Sequence, residues 1–248
     1  MSKRRRDLVR VRPQVYTDPR PAERFQRFHE YAREHQPGPL YAFLKRVAVS
    51  YCRAVYKLDT QQIENVPVEG PVILAPNHFS HMDHWFVGVI LPRHVRFMAK
   101  SQMFKGWPME WFLAHMGAFP VRRGQHDQEA ITTTLALLRR DEAIVMYPEG
   151  GRSRSGEIGT RARPGIGRMA LETGAPLVPT AVYGSERARN WRRLEFPAVT
   201  VRYGEPIVVP REPDPSRERQ EQVANEVLRA VRLLHREVEE SNSFRAGS

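Results

Sequence analysis

Cysteine is nearly missing from this chain. Cys52 is the only one in 248 residues. That excludes a disulfide framework and a structural zinc cluster built from thiolates, and it favours a reducing compartment. Long apolar runs are also lacking. No stretch of about 18 uncharged apolar residues occurs, so no spanning helix is expected. The basic start MSKRRRDLVRVRP has no apolar segment behind it and does not read as a signal peptide. No G-x-x-x-x-G-K-[ST] phosphate loop and no G-x-S-x-G nucleophile elbow appear, which removes two common routes to phosphoryl and acyl chemistry. Lysine is scarce: it stands only at 3, 45, 57, 100 and 105, so 34 of the 39 cations are arginine.

Hydrophobic residues make up 41%, enough for a folded core, and the net charge is +11. Arginine suits two-pronged binding of phosphate or carboxylate, so the excess favours an anionic partner. The cations are spread along the chain and no nucleic-acid-binding module accompanies them. No nucleic-acid partner is therefore expected, and a basic nucleic-acid-binding protein stands only as an alternative.

Three regions follow from the pattern. Residues 1–38 form an Arg- and Pro-rich arm, mobile or lying on a surface, with a short helix near 22–35. Residues 39–60 hold a basic amphipathic helix. Leu40, Phe43, Leu44, Val47, Ala48, Tyr51, Ala54, Val55 and Leu58 share one face at helical spacing, opposite Lys45, Arg46, Arg53 and Lys57. Such a helix can cover its own domain or lie in a membrane headgroup layer. Residues 61–248 alternate short β-rich runs (71–75, 95–99, 117–121, 143–147, 176–184, 198–204) with helical stretches and end in a helix over 216–241. This predicts one α/β domain with a largely parallel central sheet flanked by helices.

The densest chemistry is Asn77-His78-Phe79-Ser80-His81-Met82-Asp83-His84, directly after an apolar strand. Ligands of open α/β sheets sit at strand ends, so the place is favourable. A turn between His78 and Asp83 can bring the carboxylate to the imidazole. Asp83 would then orient His78 as it takes a proton from an attacking hydroxyl. Asp83 could equally cap a helix. His81, Asp83 and His84 also suggest a metallo-β-lactamase-like hydrolase, although Phe79 stands where its first histidine should be. A second cluster runs from Tyr147 to Gly156, where Gly150 and Gly151 allow close backbone approach and arginines flank them, suited to an anion. A third ends in Arg122 and Arg123.

In this order the clusters resemble the glycerolipid acyltransferase family, typified by lysophosphatidic acid acyltransferase. The family's N-H-x-x-x-x-D is matched by Asn77, His78 and Asp83, and its G-x-x-x-x-R by Gly117 to Arg122. Its F-P-E-G-T-R-S is matched by Tyr147 to Ser153, and its V-P segment by Val178 and Pro179. Tyr147 replaces the usual Phe and Gly151 the usual Thr. The resemblance covers residues 60–210 and implies transfer of a fatty acyl group from acyl-coenzyme A or acyl carrier protein to a lysophospholipid hydroxyl. It implies His78 as base and Asp83 as its orienter. Asn77, Arg122, Glu149, Gly150, Arg152 and Ser153 would bind the acceptor. No metal or cofactor is implied. It also implies peripheral attachment to the cytoplasmic face of a membrane, a role that residues 40–58 could fill.

Overall fold

Strand β2 (Val72–Pro76) is apolar at every position because both its faces are covered. Ile73 and Ala75 point into a cluster with Leu135, Leu137, Ile166, Val223 and Val227. Val72 and Leu74 point the other way, among Cys52, Tyr56, Phe86, Val87 and Tyr203. The period of two along one strand thus builds two cores, one on each side of the sheet.

The chain is described here by a computed structural model covering residues 17–153, 155–188, 190 and 194–247. The expected sheet is present. It has seven strands in the order β1-β7-β6-β2-β5-β3-β4. The others are β1 (Asp59–Gln61), β3 (Val95–Lys100), β4 (Ala118–Val121), β5 (Ala143–Val145), β6 (Leu177–Tyr183) and β7 (Thr200–Tyr203). Among the described residues only the β6–β7 pair of strands is antiparallel. The short strand β1, which the sequence pattern did not suggest, pairs with β7. Helices α5 (Gln128–Leu138), α6 (Gly165–Thr173) and α7 (Arg217–Gly247) supply the first core, while α2 (Pro39–Tyr56) and α3 (Asp83–Gly88) supply the second.

Strands β2, β5, β3 and β4 are neighbours and mutually parallel. Their C-terminal ends therefore lie along one edge of the sheet. This edge collects His78 after β2, Lys100 at the end of β3, Arg123 after β4, and Tyr147 after β5.

The arm expected over residues 1–38 is folded in its described part; residues 1–16 lie outside the described residues. Helix α1 (Glu23–Glu34) buries Phe25, Phe28, His29 and Ala32 beside the edge strand β4 and helices α4 (Trp107–His115) and α5. Phe25 and Phe28 join Phe104 and Leu113 in a third apolar cluster. Arginines fix the segment. Arg20 pairs with buried Asp18 at 2.7 Å and donates to the carbonyls of Ser101 and Phe104. Arg24 and Arg27 reach Glu110 on α4 at 2.5 and 2.6 Å. Fully buried Arg96 pairs with Glu142 and donates to the His35 carbonyl. Part of the arginine excess thus staples the N-terminal segment to the domain, where a guanidinium can satisfy several carbonyls at once.

Helix α2 forms where the basic amphipathic helix was expected, but it is rolled about its axis. Tyr41, Cys52 and Tyr56 are buried and Ala48, Val49 and Val55 pack on the domain, whereas Phe43, Val47 and Tyr51 are 59%, 51% and 45% exposed. Lys45, assigned to the outer face, instead turns inward and donates to the carbonyls of Leu91 and Arg93. The C-terminal carbonyls beyond α3 draw its ammonium in, and the roll follows.

Helix α6 crosses α7 at Gly167. A Cβ there would lie 2.1 Å from the Gln220 carbonyl oxygen. Alanine is the better helix former by about 1 kcal/mol. Gly167→Ala is nonetheless expected to destabilise the protein by about 1–3 kcal/mol through overpacking. The denaturation midpoint checks the sign, and a rise would show that α7 yields.

Candidate active site

The chain leaves β2 at Pro76 and turns through residues 77–82 before α3 begins at Asp83. Asn77 locks the start of the turn. Its side-chain amide donates to the Val182 carbonyl at 3.0 Å and its oxygen accepts the Val182 N–H at 2.8 Å. Asn77 is fully buried and holds β2 to β6. Its expected place in acceptor binding is corrected accordingly: both ends of the amide are occupied by backbone.

Asp83, fully buried, closes the turn. Its Oδ2 accepts the backbone N–H groups of Phe79 at 2.7 Å and Ser80 at 2.8 Å, and His78 Nδ1 lies 2.8 Å away. An oxygen already receiving two N–H bonds acts as acceptor, so Nδ1 carries the imidazole proton and Nε2 keeps its lone pair. Asp83 therefore does not cap α3, whose N-cap is Met82 without a side-chain bond; its carboxylate instead closes the turn before the helix and orients His78. Burial raises the Asp83 carboxyl above its ordinary range, against which the Ser80 N–H works. Burial also pushes His78 well below its ordinary value, followed by the positive fields of Arg123 and Arg152. His78 is thus neutral near pH 7 and able to take a proton.

The ring of Tyr147 stacks on His78, with centroids 3.8 Å apart and planes 18° from parallel. Its hydroxyl lies 2.8 Å from His84 Nδ1. With Asp83 engaged by His78 and His84 by Tyr147, the donor set of the metallohydrolase alternative is already committed. Among the described residues no group of three or more His, Cys, Asp or Glu side chains could hold a metal ion.

Glu149 stays beside the site but faces backbone: Oε1 accepts the His78 N–H at 3.3 Å and Oε2 the Gly159 N–H at 2.9 Å. Ser153 donates its N–H to the His78 carbonyl at 2.8 Å, and its hydroxyl accepts from Gly156. Both residues dock the 147–156 loop on the catalytic turn, where ligand contacts were expected. Gly150 needs its freedom. Its φ is +70°, and a Cβ would meet Arg163 Cγ at 2.8 Å. It borders a side cavity of about 160 Å³ shared with Arg123, Tyr147 and Arg163.

The largest correction concerns the paired arginines. Arg122 turns away: its guanidinium donates to the carbonyls of Arg20 and Asp18 at 3.1 and 3.4 Å. Arg123 instead lines the cavity beside His78, together with Lys100 and the expected Arg152. Successive residues leaving a strand point to opposite sides, which the sequence motif alone did not resolve. Lys100, missed in the sequence reading, could have been found from its place at the end of β3. Burial lowers it to about 8, with Arg123 and Arg152 adding to the shift.

Beyond the cations the cavity, about 480 Å³ in volume, is mainly apolar, lined by Trp85, Val89, Phe97, Leu113, Met116 and others between α3, β3 and α4. A neutral base bonded to a carboxylate thus stands between a cationic rim and an apolar recess. That is an arrangement for deprotonating the hydroxyl of an anionic amphiphile.

Comparison with known proteins agrees with this geometry. The Acyltransferase family model matches residues 57–183. The chain is 31% identical over 128 residues to the 1-acyl-sn-glycerol-3-phosphate acyltransferase of Bacillus subtilis, covering 51% of this chain and 63% of that protein. It is 28% identical over 133 residues to the chloroplastic enzyme of the same name, BAT2, from Brassica napus, covering 52% of this chain and 38% of that protein. The match therefore spans less than two thirds of either relative. The crystal structure of the 1-acyl-sn-glycerophosphate (LPA) acyltransferase PlsC from Thermotoga maritima superposes with a TM-score of 0.61 at 19% identity, over 87% of each chain. That likeness is one of fold.

His78→Ala is expected to lower kcat by about 10²–10⁴-fold with the fold intact, the scale of a lost general base. Because only the neutral imidazole accepts the proton, and burial lowers its pKa, kcat/KM should stay level as pH falls through 6.5 and decline only below it. A half-maximal point above pH 6.5 in the kcat/KM profile would contradict this electrostatic reading.

Proposed function

The chain belongs to the acyltransferase family, and from that premise we propose that it moves a fatty acyl group from a thioester to the hydroxyl of a lysophospholipid, with lysophosphatidic acid the foremost acceptor and phosphatidic acid the product. One observation carries the reading: His78 and Asp83 stand where the three cations Lys100, Arg123 and Arg152 meet an apolar cavity. The acceptor phosphate lies on the cations, and charge-assisted bonds hold it against displacement by water. Its free hydroxyl then faces His78 Nε2. As the hydroxyl oxygen adds to the thioester carbonyl carbon, its proton passes to Nε2. Collapse of the adduct breaks the C–S bond, and the thiolate recovers the proton from the imidazolium. Coenzyme A and acyl carrier protein both supply such a thioester, and no further cofactor enters the scheme. Attack is direct: Cys52 is buried in α2, away from the site, and burial pushes its thiol up to about 11.

The acceptor and product are membrane lipids, and the reading includes peripheral attachment to the cytoplasmic leaflet. Among the described residues no helix is long and apolar enough to cross a membrane. The roll of α2 supports surface attachment, because it presents Phe43, Val47 and Tyr51 outward in place of burying them. Arg46 and Arg53, also exposed on this helix, complement anionic lipid at about 1 kcal/mol each.

Purified protein given a labelled acyl thioester and a panel of acceptors tests the activity. Turnover is expected with lysophosphatidic acid and to be weaker with a monoacylglycerol lacking phosphate. Arg123→Ala and Arg152→Ala should each cost about 1.5–3 kcal/mol on the phosphate-bearing acceptor only. Arg122→Ala should lower the melting temperature and leave KM alone. Equal losses on both acceptors would remove the phosphate assignment.

A second measurement addresses the membrane. Replacing Phe43, Val47 and Tyr51 together with serine should weaken co-sedimentation with anionic phospholipid vesicles while the melting temperature holds, since these side chains are already exposed. Unchanged vesicle binding would exclude this face.

A further inference from the structure

Two residues beside the base have no part in the scheme so far. Tyr147 and His84 are bonded to each other at 2.8 Å, and both line the large cavity with His78. The imidazole rings of His84 and His78 are 5.6 Å apart. Tyr147, stacked on one and bonded to the other, connects them. Tyr147 also occupies the position at which the resembling sequence motif carries Phe, so its hydroxyl is this chain's own.

The direction of the bond decides the chemistry. If His84 Nδ1 donated, the phenolic hydrogen would have no acceptor among the described residues, since His84 is the hydrogen-bond partner of that hydroxyl there. If the phenol donates, its hydrogen is satisfied, Nδ1 is the acceptor, and Nε2 carries a hydrogen. An orphaned hydroxyl hydrogen is the costlier arrangement, so the second holds. Charge states agree. Burial keeps the Tyr147 phenol protonated. Burial first, and then the neighbouring His78, hold His84 down to about 3, hence neutral. Among the described residues His84 Nε2–H makes no hydrogen bond, and the half-buried ring borders the cavity with its centroid 5.6 Å from that of His78. His81 also borders the cavity, but it is exposed and among the described residues no hydrogen bond fixes its tautomer.

We propose that His84 is a catalytic residue: its Nε2–H donates to the thioester carbonyl oxygen and stabilises the oxyanion that forms there, with Tyr147 as the positioning residue that fixes the donating tautomer. The inference rests on the acyl-transfer reading above. As the acceptor oxygen adds to the carbonyl carbon, the C=O electron pair moves onto oxygen and is met by Nε2–H. When the C–S bond breaks, the pair returns and the thiolate takes the proton held by His78. A neutral imidazole suits this task, because it polarises a carbonyl without competing for the proton that His78 must receive. The donor is positioned before reaction, so no solvent must reorganise as charge develops.

The test compares wild type, His84→Ala, His84→Gln and Tyr147→Phe. Loss of one preorganised oxyanion donor lowers kcat by about 10²–10³-fold. His84→Ala is expected to show that loss with KM for the acyl donor nearly unchanged. His84→Gln, which keeps an N–H donor, should recover a substantial part of it. Tyr147→Phe removes one atom, keeps the ring on His78, and should lower kcat by up to about tenfold as the tautomer lock is lost. A merely structural role would not move the second readout. Palmitoyl-coenzyme A labelled with ¹³C at the carbonyl is bound without acceptor, and its C=O stretch is recorded by difference infrared. The stretch should lie below its solution value in wild type and return toward it in His84→Ala. If His84→Ala does not fold, Tyr147→Phe carries the same measurement. An unshifted stretch in wild type, or wild-type kcat in His84→Ala, overturns the proposal. Wild type inactive on every acceptor overturns the acyl-transfer reading itself, a different result from either.

Discussion

One carboxylate oxygen organises the catalytic turn. Oδ2 of Asp83 accepts the N–H groups of Phe79 and Ser80 and bonds His78 Nδ1, all within 2.8 Å. The backbone bonds hold the chain in a tight turn after β2, and that turn carries the imidazole out over the edge of the sheet. The third bond orients the ring and selects its tautomer. Folding of the turn and preparation of the base are therefore one event. The coupling is strong because the carboxylate is wholly buried and has no water to turn to. Glu149 and Ser153 extend the arrangement by fastening the next loop to the backbone of His78.

Around this turn the electrostatics are arranged by topology. Four parallel strands end at one edge, and three of the four deliver a cation directly or through the following loop: Lys100, Arg123 and Arg152. Burial first, and then their field, lowers His78 and keeps it unprotonated. The opposite wall is apolar, so the cavity has one charged and one apolar side.

The fold class was legible because strands covered on both faces read as continuous apolar runs, as in VILAP, and the helices between them show their own period. His78 and Asp83 were legible because the four residues between them make a local turn, and local geometry survives without knowledge of the rest. Asn77, Glu149 and Ser153 were found as members of the site but not in their roles. Their partners, the backbone of Val182, Gly159 and His78, lie on segments that only the tertiary fold brings near. The Arg122–Arg123 pair was legible, but the motif picked Arg122 where Arg123 lines the cavity, because a motif does not record which side of the strand end each residue leaves.

The amino-acid sequence by itself determined the elements, the parallel sheet and the reactive turn, since these follow from periodicity and from contacts a few residues apart. Tertiary structure decided the rest. It docked the basic N-terminal segment through Asp18, Glu110 and Glu142, rolled α2 so that Lys45 faces inward and Phe43 outward, and gathered Lys100, Arg123 and Arg152 from three separate strand ends. The physical reason is that an arginine or lysine is long, flexible and equally at home on carbonyl, carboxylate or phosphate. Which of these it meets is set by the segments that packing brings within its reach.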